Sequence, residues 1–71
     1  MDAQEWLAAY ADRLGLAAPT QEELEAVLAL AGVAAHASER IAAPVACWLV
    51  ARAGVDLDEA MRRARAVAGD A

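Results

Sequence analysis

The stretch TQEELEAVLALAGVAAHAS, residues 20–38, decides the fold. It opens on Thr20 with Glu23 three positions later. In that arrangement the threonine side chain accepts a free backbone N–H, and the glutamate reaches back to the capping residue. Leu24, Val27, Leu28, Ala31 and Ala35 then recur at helical spacing, and no proline follows until Pro44. The spacing predicts a helix over residues 21–38 with this stripe on one side. Leu30 and Val33 lie off the stripe, so the helix is apolar over most of its circumference. It is expected at the centre of a bundle.

The same start signal occurs twice more, as Asp2 with Glu5 and Asp56 with Glu59. An acid in the first turn also suits the positive end of the helix dipole. The first helix is predicted over residues 3–14, with Ala3, Trp6, Leu7, Tyr10 and Leu14 on one face, Gly15 as its stop and Pro19 in the following loop. Pro44 fits the first turn of a helix over 44–53, where a missing N–H does no harm. From Val45 to Ala51 that helix holds no charge, which predicts that it is mostly buried, and Gly54 ends it. The last helix is expected over 57–68. It places Leu57, Ala60, Met61, Ala64, Val67 and Ala68 inward and pairs Asp58 with Arg62 and Glu59 with Arg63 on its outer face. The fold class is therefore all-α, a single domain over residues 1–71 forming a compact bundle of four short helices. The segment 38–43 is the one stretch whose conformation the pattern leaves open.

Composition points the same way. Of the 71 residues 22 are alanine, the best helix former, whereas there is one Ile, one Thr and no Phe. Lys and Asn are absent while Arg, Ala, Gly and Val abound, a usage that fits a GC-rich genome. A chain this short buries only about 60% of the surface its unfolded state exposes. Its core rarely supplies more than roughly 3–5 kcal/mol of net stability without a staple. The single cysteine, Cys47, excludes an internal disulfide, and no cluster of residues has metal-ligand spacing. What remains is very regular helix packing or association with another chain.

A formal net charge of −5 argues against nucleic acid as a partner, because phosphate binding needs a basic stripe. The only arginine cluster, Arg62, Arg63 and Arg65, sits among acids and reads as a solvated, salt-bridged face. No apolar run reaches the ~18 residues of a membrane span, and the acidic N-terminus is unlike a signal peptide. A cytoplasmic protein without a membrane partner is the expectation.

Residues suited to catalysis are few. Ser38 and His36 stand two positions apart, so a helix would point them to different sides, and no orienting carboxylate or oxyanion site is marked. Cys47, inside an apolar run beside Trp48, reads as a small buried hydrophobe and not a reactive thiol. The four glycines are dispersed, with no phosphate-binding loop. No enzyme, metal or cofactor is expected. The one polar constellation is His36 with Arg40. If the helix persists that far, i and i+4 share a face, and free N–H groups at the start of the third helix would complete an anion site. The structural alternative is that Arg40 bonds the last carbonyls of the second helix and His36 a neighbouring backbone group. Trp6, Tyr10 and Trp48 fall on apolar stripes and read as core, with partner anchoring as the other role open to them.

The segment HASERIAAPVACWLVARAG, residues 36–54, resembles a small bacterial domain of unknown function of the actinobacterial type. The shared pattern is Ala-His, then Arg, then Ala-Ala-Pro and an apolar helix ending in Gly. Here it falls on Ala35, His36, Arg40, Ala42, Ala43, Pro44, Leu49 and Gly54. Trp48 stands where the pattern has Phe, and Ile41 where Pro is common. The resemblance implies an accessory or protein-interaction domain found beside, or fused to, the guanylyltransferase of molybdenum cofactor (molybdopterin guanine dinucleotide) biosynthesis, and near formate dehydrogenase accessory genes. It implies no catalytic residue. The partners it suggests are that guanylyltransferase or a formate dehydrogenase accessory protein. A homodimer is the other expectation, since a second copy would cover Leu30 and Val33 if the third helix does not. An anionic-ligand domain built on His36 and Arg40 is the alternative function.

Overall fold

In the computed structural model, which describes residues 1–69, four helices account for the chain: α1 (Ala3–Arg13), α2 (Gln21–Ala37), α3 (Ala42–Ala53) and α4 (Leu57–Ala68). No strand occurs among the described residues, and the domain is all-α.

The capping residues act as the sequence predicts. The Asp2 carboxylate accepts the Glu5 N–H at 2.8 Å, and the Glu5 carboxylate accepts the Asp2 N–H at 3.0 Å. Thr20 and Glu23 form the same reciprocal pair, at 3.1 and 2.8 Å. At α4 only half of the box forms. Asp56 accepts the Glu59 N–H at 2.8 Å, but the Glu59 carboxylate turns away to the guanidinium groups of Arg62 and Arg63. A carboxylate offered two charge-assisted donors takes them in preference to one neutral amide. Asp58, expected to pair with Arg62, forms no ion pair among the described residues. Gly15 and Gly54 stand at φ 76° and 72°, the left-handed conformation in which glycine carries no Cβ penalty, and α1 and α3 stop at them.

Helix α2 ends at Ala37, one residue early, and α3 begins at Ala42, two residues before Pro44. Ser38 takes φ −141° and ψ −98°, and its hydroxyl donates to the Ala34 carbonyl at 2.8 Å, closing the last turn. A tight turn follows, in which the Ala42 and Ala43 N–H groups donate to the carbonyls of Glu39 and Arg40. Pro44 thus sits in the first turn of α3, and its missing N–H leaves no gap.

Short connections fix the directions. The links 38–41 and 54–56 send α3 back against α2 and return α4 parallel to α2. Helices α3 and α4 both pack on α2, which is the central element, as expected. Helix α1 lies alongside none of them to a comparable extent. It is tied to the start of α2 by the side chains of Gln4 and Gln21, and the Leu16 N–H turns back to the Ala11 carbonyl at 2.8 Å.

The inward side of α2 is only partly the expected stripe: Leu24, Val27, Ala31 and Ala35 are half-buried, as placed. Leu30, placed off the stripe, is the most buried large residue at 2% exposure, with Val33 and Ala34 partly covered beside it. Leu28, placed on the stripe, is 61% exposed. An apolar stripe only two to three residues wide is a strong pointer when the rest of the helix is polar. Here nearly the whole circumference is apolar, so spacing does not choose a side. The choice falls to α3 and α4, whose Ala46, Ala60 and Ala64 leave room for one leucine among small side chains.

Candidate functional site

The core is small. Among the described residues only Ala11, Leu30 and Ala60 are buried, and two of the three are alanine. The chain exposes 5525 Å². A folded monomer of 7.4 kDa exposes about 4,200 Å² by the usual scaling, so this one shows roughly 1,300 Å² more. Large apolar side chains stand exposed on all four helices, the aromatic ones on α1 and α3.

On α1, Trp6 and Tyr10 are 53% and 49% exposed, their rings 5.0 Å apart, with Leu14 exposed one turn on. On α3, Ile41, Val45, Trp48 and Leu49 are exposed, Trp48 at 58%. The Arg52 guanidinium lies over the Trp48 ring, 5.1 Å from its centre. These positions overturn two expectations: α3 is not mostly buried, and the aromatic residues are not core. The uncharged run Val45–Ala51 predicts a mostly buried helix, but only one side of α3 meets α2. Its inner face is carried by small residues, Ala42, Ala43, Ala46 and Cys47, with Val50, which leaves the bulky ones outside. Cys47 itself is half-buried and free, in keeping with a small apolar residue at the edge of that interface.

The polar corner has a different geometry from the one the spacing suggested. Arg40 lies past the end of α2 in the turn, so no helical i, i+4 relation joins it to His36. Both residues are exposed, and neither side chain makes a hydrogen bond or ion pair among the described residues. That includes the backbone contacts of the structural alternative. The N–H groups of Ala42 and Ala43 already donate to turn carbonyls, and Pro44 has none, so the start of α3 offers little to an anion. His36 instead shares an open cleft of about 490 Å³ with Arg65, floored by Gly32 and Val33 and closed by Ala68. The cleft lies where the parallel helices α2 and α4 both end. A basic residue in the last turn of each helix is what the helix dipole favours there.

A second, apolar groove of about 440 Å³ runs between α2, α3 and α4, rimmed by Leu49 and Val67. At the opposite end of the molecule Glu22, Glu23, Asp56 and Asp58 gather at the two helix starts. No group of three or more His, Cys, Asp or Glu side chains among the described residues is placed to hold a metal ion. On α4, Glu59 bridges Arg62 and Arg63. The hydrogen bond from Arg62, followed by that from Arg63, holds its carboxyl below the usual range, and Glu59 in turn raises Arg62. The arginines are thus a solvated, paired face, with Arg65 apart at the cleft. No helix among the described residues is long and apolar enough to cross a membrane.

Fold and surface define a small all-α domain whose aromatic side chains are exposed and whose side-chain hydrogen bonds and ion pairs, among the described residues, lie at helix ends, between Gln4 and Gln21, and around Glu59. The chain belongs to the family described as Domain of unknown function (DUF6457), whose model matches residues 1–71. Comparison with curated proteins and with solved structures yields no match.

Proposed function

We propose that this is a protein-interaction domain without catalysis of its own, whose exposed aromatic faces on α1 and α3 are covered by another protein chain. The observation that carries this reading is the exposure of Trp6, Tyr10 and Trp48, on a chain that shows roughly 1,300 Å² more surface than a compact monomer of equal mass. Tryptophan and tyrosine are the residue types that dominate binding energy at protein interfaces. Exposed contiguous apolar patches of this kind mark interaction sites. The resemblance carried by residues 36–54 supports a setting beside molybdenum cofactor biosynthesis, as an accessory to the guanylyltransferase or to a formate dehydrogenase accessory protein.

Titration calorimetry of the chain against a purified molybdenum cofactor guanylyltransferase tests that setting. A saturable interaction with a negative heat-capacity change is expected, the sign that apolar surface is being covered. No heat at high micromolar concentration of both would remove this enzyme as the partner. The anion-binding alternative at His36 and Arg40 draws less support, since the N–H groups that would complete it are already bonded. Arg40→Ala is expected to leave phosphate binding, measured by the same method, unchanged.

A further inference from the structure

The exposed residues of α1 and α3 form two matching seams. On α3, Ile41, Val45, Trp48 and Arg52 recur at steps of four, three and four, all on the side away from α2. Ile41 belongs to this row because its backbone is already helical, at φ −64° and ψ −19°. On α1, Ala3, Trp6, Tyr10 and Arg13 recur at steps of three, four and three, and all are exposed. Alternating three- and four-residue steps are the pattern by which one helix packs along another. The two helices have 11 and 12 residues, so each seam is roughly 16–18 Å long.

We infer that the occupant of these seams is a second copy of this chain, with α1 of each protomer lying antiparallel on α3 of its partner. The inference rests on the interaction reading above and names the partner. Charge fixes the direction. Antiparallel pairing sets Arg52, at the end of α3, beside Asp2 and Glu5 at the start of the opposing α1. It sets Arg13, at the end of α1, beside Glu39 just before the opposing α3. Parallel pairing would instead bring Arg13 to Arg52 and Asp2 to Glu39. A two-fold axis makes the exchange reciprocal: where α1 meets the partner's α3, the partner's α1 meets α3. A standard interface takes about 800 Å² from each partner, and the chain as a whole exposes roughly 1,300 Å² more than a compact monomer of its mass. Within one protomer α1 lies alongside neither α3 nor α4, so the seams are not already used.

Sedimentation equilibrium of the full chain, from about 5 µM to 1 mM, tests this with four variants. The wild type is expected to dimerise. Trp48→Ala and Tyr10→Ala, both at exposed positions, should loosen the dimer about 30-fold or more while far-UV circular dichroism stays unchanged, as for interface anchors. Arg13→Glu alone should loosen it about tenfold, and Arg13→Glu combined with Glu39→Arg should recover to within about threefold of wild type, because each exchanged charge again faces its opposite. A monomer at 1 mM would overturn the second copy, as would a dimer indifferent to Trp48→Ala. Failure of the paired charge exchange to recover would overturn the antiparallel α1–α3 contact. A monomer that still binds the guanylyltransferase leaves the interaction reading standing, and a dimer that binds no other protein removes only the accessory role.

Discussion

Leu30 and Leu28 lie two residues apart on α2, and their truncation should have opposite consequences. Leu30 is 2% exposed between α3 and α4 and is the only buried side chain larger than alanine among the described residues. Leu30→Ala removes it from a site whose neighbours are already small, so the space left has little chance to close. Core leucine truncations cost about 2–5 kcal/mol. For a chain of this length each kcal/mol moves the melting midpoint by roughly 4–8 °C. A fall of at least about 10 °C is therefore expected. Because the whole domain is held by about 3–5 kcal/mol, the upper half of the range would leave it unfolded at room temperature. Leu28→Ala removes mostly solvated surface and installs the better helix former, so its effect should stay within about 0.5 kcal/mol, or 2–4 °C. The measurement is thermal unfolding by circular dichroism at 222 nm, at one fixed protein concentration so that any self-association is held constant. Equal losses at the two positions, or a larger loss at Leu28, would refute the packing of α2 described above.

Other positions give independent checks. Gly32 is inside α2, and a Cβ built there meets nothing within 4 Å, so Gly32→Ala should stabilise by about 0.5–1 kcal/mol, read as a rise in the melting midpoint. Thr20→Ala removes the acceptor of the Glu23 N–H and should cost about 1 kcal/mol in denaturant unfolding, whereas Thr20→Ser should be nearly neutral. Glu59 has a folded-state pKa lowered by Arg62 and Arg63, so its contribution is fully present above the unfolded carboxylate value of about 4.3 and is lost as pH falls through the lowered one. Glu59→Gln should therefore be less stable than wild type at pH 7, with the gap closing as both are titrated towards pH 3; a gap that is constant with pH would show that the ion pairs contribute nothing to it.

Much of the fold is legible in the chain because its signals are local. A cap at Asp2, Thr20 or Asp56 needs only the next three residues to act, and all three start helices where expected. The stops at Gly15 and Gly54 need only the backbone freedom of one residue. Where two local signals compete, sequence spacing alone falls short: Glu59 has the position of a capping-box glutamate and also of an i, i+4 partner, and the arginines win it. The turn at Ser38 ends α2 before Arg40, and with it goes the shared face on which the His36–Arg40 site depended. His36 meets Arg65 instead, a neighbour 29 positions away that no helical spacing relates to it.

The sequence by itself determined the class, the number and limits of the helices and the central place of α2, since each depends on propensity, capping and chain length. Only the tertiary structure decided which sides of those helices face each other. In a chain with 22 alanines and helices apolar nearly all round, hydrophobic spacing does not single out one face. Close approach of backbones does, and it favours small residues inside, so Ala46, Ala60 and Leu30 form the contact while Trp6, Tyr10 and Trp48 are left on the surface, where another chain can reach them.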